Sequence, residues 1–306
     1  MRNITRGLLA VFVSSLGYGA LPIFGKLAFA EGIGVLPLLS WRFIIGSALV
    51  WTFVFATRRA LPPPRRVVTL CLLGILYGAV SVSYMLGLTR LPASLATLIF
   101  FSYPALTVLL ARIRGRERLT RLRILALLLA TAGCSLTLGS GIGSADALGV
   151  ALMGLAALCI ASFIVQSHGT MSGLPPISST AAMITASAAA ITAAGLLTGG
   201  IGVPVAPRPL LIIAGIGFFS TAIPISAFLI GIQWIGPARA AIAATAEPAV
   251  ALMLAALLLG ERLSILQWAG GLLIVGAVIW LRLERRPDPV AAVVEDPDGA
   301  GLQPSR

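Results

Sequence analysis

The sequence predicts an all-α integral membrane protein of ten transmembrane helices, arranged as two inverted five-helix repeats around a central cavity. An apolar composition, long apolar segments and a repeated motif predict this fold. Of the 306 residues, 58% are apolar and 10% are charged, and the mean hydropathy is +1.01. A soluble domain carries roughly 25% charged residues, so much of this apolar surface must face lipid. A disordered chain is excluded too, because disorder requires low hydrophobicity and high charge.

The chain contains ten apolar segments that reach or approach the length of a membrane span. A helix needs about 20 apolar residues to cross about 30 Å of hydrocarbon. The segments are continuous and rich in Leu and Ala, which favours helices over barrel strands. We expect the first segment to be a retained helix rather than a signal peptide, because a second span follows closely. The predicted spans cover about 7–29, 35–57, 67–88, 92–113, 122–139, 148–169, 177–199, 209–231, 237–259 and 265–283.

The basic residues predict the orientation of the chain in the bilayer. With a cytoplasmic N-terminus, 17 of the 22 basic residues fall on the inner side, and Arg90, Arg208 and Arg262 fall on the outer side. The positive-inside rule therefore predicts a multi-pass protein of the inner membrane with both termini in the cytoplasm. The net charge of +12 follows from this topology rather than from nucleic-acid binding. Residues 285–306, rich in Pro and acidic side chains, predict a disordered cytoplasmic tail.

Two proline-bearing spans end in the same motif at a constant offset of 144 residues. The first copy is YPALTVLLARIRGRERLT (103–120), and the second is EPAVALMLAALLLGERLS (247–264). The offset covers five helices, and an odd number of spans inverts the second copy. We therefore predict one repeat over 1–139 and an inverted repeat over 140–284. Inverted repeats are typical of secondary transporters, because two equivalent halves give two equivalent conformations, one open to each side.

The segment 247–264 resembles the signature of the EamA-type family of the drug/metabolite transporter superfamily, and 103–120 matches the corresponding place in the first half. Weaker similarities lie in the first two spans, at Gly17-Tyr18-Gly19 and Trp41-Arg42-Phe43. The resemblance covers about 7–283. It implies ten helices in two inverted repeats around a central cavity, and export of small metabolites, often amino acids. It leaves the substrate open, with the aromatic and neutral amino-acid exporters as the nearest branch.

Glu247 is the carboxylate that lies deep in a predicted span, about ten residues into the ninth. A charge at that depth costs several kcal/mol unless it is paired, protonated or in a wet cavity. One interpretation is that Glu247 faces the cavity and binds a substrate amine or takes up a proton. The other is that a protonated Glu247 satisfies backbone groups that Pro248 leaves free.

The third span carries Gly74, Tyr77, Ser81 and Tyr84 at helical spacing, which places them on one face. A tyrosine hydroxyl needs a partner, so this face should contact protein or water. The stripe predicts a cavity wall, or alternatively close helix packing at Gly74 and Gly78. The predicted substrate-binding residues are Tyr18, Tyr77, Ser81, Tyr84, Phe100, Tyr103, Phe163, Gln166 and Glu247.

Four prolines interrupt predicted spans and are expected to kink them, as a carrier that opens alternately would require. Proline is also tolerated in static membrane helices. Arg42 could reach the interface, pair with Glu31 or another acid, or attract a carboxylate. Of these possibilities we favour a structural role. The candidate kink residues are Pro22, Pro104, Pro224 and Pro248.

Enzymatic motifs, a phosphate-binding loop and metal-ligand spacing are absent from the sequence. We therefore expect no enzyme activity, no cofactor and no bound metal, with uphill transport driven by a proton gradient or by exchange. Three cysteines lie within apolar segments and are expected to be free thiols. They are Cys71, Cys134 and Cys159.

Together these features predict a secondary transporter that exports small amphipathic metabolites, above all neutral or aromatic amino acids, across the lipid bilayer. One alternative is an exporter of lipophilic cationic drugs, which would also use Glu247. The other is a non-transporting membrane scaffold or scramblase-like protein. The sequence leaves the exact substrate, the coupling ion and the oligomeric state open.

Overall fold

The computed structural model describes residues 2–91, 96, 99–115, 120–138, 146–202, 206–250 and 265–282, and the regular elements in these ranges are helices. The helices before residue 140 are α1 (Arg2–Ala30), α2 (Val35–Ala56), α3 (Pro64–Leu88), α4 (Tyr103–Ile113) and α5 (Arg121–Leu138). The helices after it are α6 (Ala147–Met171), α7 (Pro176–Thr198), α8 (Pro207–Gly217), α9 (Ile223–Ile235), α10 (Pro237–Ala244) and α11 (Ile265–Arg282). The predicted tail 285–306 and most of the second motif lie outside the described residues.

Six helical stretches in the described ranges are long and apolar enough to cross a membrane. Large apolar side chains such as Leu72, Leu128, Leu211 and Leu272 point outward from the bundle. Such a surface would be costly in water but is the ordinary lipid-facing surface of a membrane helix. The protein is therefore a multi-pass membrane protein, and the count of ten spans stays a prediction. The six stretches are Asn3–Leu21, Val35–Ala56, Pro64–Leu88, Ala147–Met171, Pro176–Thr198 and Pro207–Ile235.

Helix breaks precede two of the predicted kink prolines. The chain turns at Ser102, whose N–H donates to the Ile99 carbonyl over 3.1 Å, and α4 then carries Pro104 in its first turn. At the equivalent place in the second half, α10 ends at Ala244 and helix resumes over 246–250, with Pro248 in its first turn. Proline fits the first turn of a helix because its missing N–H would be unpaired there anyway.

The other two prolines have different settings. Pro22 lies within the continuous helix α1. Pro224 follows a five-residue π-helical segment, Phe218–Ala222, which joins α8 to α9. In this segment the Ile223 N–H donates to the Phe218 carbonyl, five residues back, because the backbone widens before the proline.

The first helix of each half packs along the third span of the other half. In one pair, Gly17 lies against Pro224 and Gly7 against Ile235, so α1 runs antiparallel to the span 207–235. In the other pair, α3 packs along α6 with the same antiparallel direction. Glycines at these contacts let the backbones approach closely, as is usual between membrane helices.

Two contacts at different positions along α3 show the direction in which α6 runs beside it. The Tyr77 and Phe163 rings are 5.0 Å apart between centroids. Ten residues further along α3, Gly87 lies against Met153, which is earlier in α6. The two helices therefore run in opposite directions. Helices of like position in the two halves also pack together, α2 with α7, α4 with α10 and α5 with α11. In addition, α3 packs on α7 and α4 packs on α6.

Candidate substrate-binding site

A pair of tyrosines lies at the centre of the bundle. The hydroxyl oxygens of Tyr18 on α1 and Tyr77 on α3 are 2.7 Å apart and form a hydrogen bond. The Tyr77 ring meets Phe43 of α2 edge to face at 5.8 Å and lies 5.0 Å from the ring of Phe163 on α6. Tyr77 is buried and Tyr18 is half-buried, so four helices converge on one aromatic cluster whose polar atoms face each other.

Arg42 of α2 lies beside this cluster and is only 3% exposed. Its Nε donates to the Thr221 hydroxyl over 2.8 Å, and its Nη2 donates to the Ser220 carbonyl over 3.1 Å. In a regular α-helix the Ser220 carbonyl would accept a hydrogen bond from the N–H of residue 224. Residue 224 is a proline and has no N–H. Arg42 therefore satisfies a carbonyl that Pro224 leaves free.

The expected pairing of Arg42 with Glu31 is wrong. Glu31 instead accepts an ion pair from Arg208 at 3.1 Å. Arg42 lies deeper in the bundle, where the π-helical segment offers it two oxygen acceptors. The structural role expected for Arg42 agrees with these contacts, although its partners differ from those predicted.

Glu247 lies in the helical residues 246–250 and is partly exposed, whereas its neighbour Pro248 is buried. Both Glu247 and Arg42 are within electrostatic range of the Tyr18–Tyr77 pair. Among the described residues, Glu247 forms neither a hydrogen bond nor an ion pair. The alternative in which its carboxyl group satisfies a carbonyl freed by Pro248 therefore has no contact in its favour.

A second aromatic cluster lies where α3 faces the helix break before α4. The Tyr84 and Phe100 rings meet at 4.8 Å, and Phe100 and Tyr103 at 5.3 Å. Phe101 adds a contact with Tyr103 at 5.7 Å. Tyr103 is buried, while Tyr84 and Phe100 remain partly exposed. The cluster brings together three of the residues that the sequence predicts for substrate binding.

The remaining predicted residues have more ordinary environments. The Ser81 hydroxyl donates to the Tyr77 carbonyl over 3.2 Å within α3. Gln166 is half-buried on α6, one turn from Phe163. Gly74 belongs to helix packing, because the Ser187 hydroxyl of α7 donates to its carbonyl over 2.6 Å.

Sequence reasoning did not include Phe43, Ser220 and Thr221 in the site. Thr221 bonds both to Arg42 and, over 3.0 Å, to the Ile216 carbonyl five residues earlier. A Ser-Thr pair three or four residues before a proline was the signal available, since such hydroxyls and carbonyls compete with the regular helix bonds.

Two ion pairs on one face join the two halves. The first is Glu31–Arg208, and the second is Arg90–Asp146 at 3.0 Å. Asp146 also caps α6 by accepting from the Leu148 N–H over 2.8 Å. The hydrogen bond from Arg90 and those from the backbone N–H groups of α6 lower the pKa of Asp146 below its usual value of 3.8.

An apolar groove of about 530 Å³ lies apart from the tyrosines, between α2 and α7. Ile44, Ala48 and Ala188 line it, together with the hydrogen-bonded hydroxyl pair of Ser47 and Thr185 at 2.7 Å. Its lining contains no ionisable side chain. The groove offers no chemistry for a charged substrate.

The model of the EamA-like transporter family matches this chain twice, over residues 5–139 and 147–283. The chain belongs to this family. The resemblance seen in the sequence motifs is thereby confirmed, and the protein is a membrane transporter rather than an enzyme. The division of the EamA-like chain into repeats over 1–139 and 140–284 stays a prediction.

Two individual proteins illustrate the relationship. The EamA-like chain is 26% identical over 285 residues to a Bacillus subtilis (strain 168) protein named "Uncharacterized transporter YcbK", a match that covers 88% of this chain and 90% of that one. A solved structure described as "Crystal structure of protein" has the same fold, with a TM-score of 0.79, 21% identity and coverage of 92% of this chain and 99% of that chain.

Proposed function

We propose that this EamA-like transporter is a secondary carrier that exports small amphipathic metabolites, above all neutral and aromatic amino acids, by alternating access. The observation that carries the proposal is Glu247, a partly exposed carboxylate without a protein partner among the described residues, beside the Tyr18–Tyr77 pair. A carboxylate at this depth is retained at a cost of several kcal/mol, which a substrate amine or a transported proton would offset.

The two family matches and the helix directions support a pair of inverted five-helix repeats. The first helix of each half packs antiparallel on the third span of the other, as a pseudo-twofold axis in the membrane plane requires. The helix breaks before Pro104 and Pro248 occur at equivalent places in the two copies. Discontinuous helices at such places are typical of transporter binding sites.

The lining chemistry favours an amphipathic solute. Tyr84, Phe100 and Tyr103 offer ring faces to an apolar or aromatic side chain. Glu247 offers a negative charge to an ammonium group. An acidic or phosphorylated substrate would require several cavity arginines, whereas Arg42 is the basic side chain described beside the Tyr18–Tyr77 pair.

The inter-repeat ion pairs Glu31–Arg208 and Arg90–Asp146 suit a closed outer face. Positive-inside topology assigns this face to the outside of the inner membrane and both termini to the cytoplasm. In alternating access the two pairs would separate when the outer side opens. Each partner is at least 25% exposed, so solvent screens both pairs and they can break readily.

The test is counterflow of labelled L-phenylalanine in proteoliposomes that hold purified full-length protein and excess unlabelled phenylalanine. We expect transient accumulation of label in wild-type vesicles and at least a tenfold slower rate in Glu247→Gln, because the amine loses its charged partner. The matched control is Glu295→Gln, a carboxylate in the predicted cytoplasmic tail, which should retain most of the flux. Accumulation equal to that of protein-free vesicles would refute amino-acid transport.

Glu247 alone also favours the second candidate, an exporter of lipophilic cations. Tetraphenylphosphonium in place of phenylalanine tests it in the same vesicles. Preferential flux of this cation would favour the drug exporter, and the absence of any saturable flux would favour the scaffold or scramblase alternative.

A further inference from the structure

We propose that Tyr18, Tyr77 and Arg42 form the binding site for the carboxylate of the substrate, so that the carrier selects zwitterionic amino acids over simple amines. This inference rests on the proposed function. It concerns the opposite end of the substrate from the one that Glu247 would bind. It gives Arg42 a role beyond the contacts that hold the π-helical segment.

The direction of the hydrogen bond between the two tyrosines follows from the position of Arg42. A guanidinium group can only donate, and a positive charge attracts the lone pairs of a nearby oxygen. Arg42 and Tyr77 contact the same ring, because the Arg42 Cζ lies 5.2 Å from the centroid of Phe43 and Tyr77 meets that ring edge to face at 5.8 Å. In the order that we propose, the Tyr77 oxygen turns its lone pairs toward Arg42 and donates its proton to the Tyr18 oxygen, 2.7 Å away.

This order leaves the O–H of Tyr18 as the last donor of the chain. Tyr18 is half-buried, and no second partner of its hydroxyl lies among the described residues. A donor polarised by an arginine two groups away is suited to an anionic acceptor, because hydrogen bonds to charged groups are about twice as strong as neutral ones. The terminal donor of the chain is thus a candidate carboxylate contact.

The charge on Arg42 supports the same assignment. It is 3% exposed, and two of its N–H groups bond to the neutral oxygens of Thr221 and Ser220. In the part of the chain that the structure describes, no carboxylate lies within 4.0 Å of it. Buried charges are usually paired, so an anion that enters the neighbouring space gains stabilisation from Arg42.

Arg42 and Glu247 are oppositely charged types of side chain, and both are within electrostatic range of the tyrosine pair. An α-amino acid carries its carboxylate and ammonium on one carbon and can face both charges at once. An amine without the carboxylate leaves the donor chain unpaired, and such unpaired polar groups are a strong basis for discrimination. Arg42 acts here as a positioning residue through Tyr77, and Tyr18 makes the contact.

The experiment compares inhibition of phenylalanine counterflow by L-phenylalanine and by phenethylamine, which has the same ring and amine but no carboxylate. In the wild type we expect phenethylamine to require at least tenfold higher concentration. Tyr18→Phe keeps the ring and removes the hydrogen-bond donor. The inhibitory concentration of phenylalanine should therefore rise by about ten- to hundredfold, whereas that of phenethylamine should change by no more than about twofold. Arg42→Gln should change the ratio of the two inhibitory concentrations in the same direction, by reducing the preference for phenylalanine over phenethylamine.

Trp51→Phe is the matched control, because Trp51 bonds to Thr185 at the groove between α2 and α7, away from the tyrosines. It should leave the ratio unchanged. A purely structural role of Tyr18 and Arg42 would weaken both ligands alike, and that result would overturn the inference while leaving the amino-acid carrier intact. If wild-type protein shows no phenylalanine flux, the proposed function and this inference fail together.

Discussion

At the scale of single residues, the N–H that Pro224 lacks explains where the buried guanidinium group of Arg42 is bound. Pro224 deprives the Ser220 carbonyl of its helical donor, and Arg42 supplies another over 3.1 Å. Thr221 accepts the second bond from the same guanidinium. The π-helical segment and Arg42 therefore stabilise each other, and neither would be expected alone.

Removal of the Thr221 hydroxyl tests this interdependence. Thr221→Val keeps the shape of the side chain but leaves a charged donor of Arg42 unpaired, so we expect a loss of about 1–3 kcal/mol of stability. Thermal unfolding in detergent measures it. Thr52→Val is the control, since Thr52 bonds only to its own helix, over 2.8 Å at the exposed surface. Equal unfolding temperatures for the two variants would contradict the account of Arg42.

At the scale of helices, the sequence predicts positions well and interruptions poorly. The structure places α2 and α3 within a few residues of their predicted bounds, because the length of an apolar segment fixes a membrane helix. The break at Ser102 and the π-helical segment were not predicted in detail, because they depend on contacts with other helices. The carbonyl that Arg42 binds is 178 residues away in the sequence.

The same limit applies to the candidate site. Tyrosines at helical spacing could be recognised as inward-facing, and Tyr77 is indeed buried with a hydroxyl partner. Spacing alone did not separate Tyr77 from Gly74, which contacts α7. The difference between the two environments arises from the neighbours that each side of α3 meets in the folded bundle.

Helix packing at Gly74 provides a prediction at this scale. An added Cβ in Gly74→Ala would collide with the Met183 backbone carbonyl of α7, so we expect a loss of about 1–3 kcal/mol of stability. Gly154→Ala is the matched control, because an added Cβ there meets no atom within 4 Å. Since alanine is the better helix former by about 1 kcal/mol, the control should be unchanged or more stable. The reverse order of unfolding temperatures would contradict the packing described for α3 and α7.

At the scale of the whole molecule, contacts between the halves dominate the described bundle. The first helix of each half is held by the third span of the other, and both described ion pairs cross between halves on one face. In the alternating-access cycle that we propose, one half moves against the other. The ion pairs then bias which face is closed.

Charge reversal at one ion pair tests this bias. Arg208→Glu places two carboxylates together at Glu31, so the outer face should open more often and the counterflow rate should change severalfold. The double variant Glu31→Arg with Arg208→Glu restores an attractive pair and should restore the rate. If Arg208→Glu changes the counterflow rate and the double variant does not restore it, the Glu31–Arg208 pair does not control opening of the outer face.

The second ion pair should be insensitive to mild acid. Since the pKa of Asp146 is lowered below 3.8, its stabilising contribution is present above that value and is lost only as the pH falls below it. We therefore expect acidification of the outer solution from about pH 8 to about pH 5 to leave the Arg90–Asp146 pair intact. A change in flux over that range that disappears in Asp146→Asn would contradict this expectation.

The most direct test of alternating access is the accessibility of position 247 from each side of the membrane. Glu247→Cys, made in a chain whose own cysteines are replaced by serine, is exposed to a membrane-impermeant thiol reagent on one face at a time. The account predicts labelling from either face, whereas Leu72→Cys on the lipid-facing surface should be labelled from neither. If position 247 reacts from neither face, or from one face only, it does not lie in a pocket that opens alternately to the two sides.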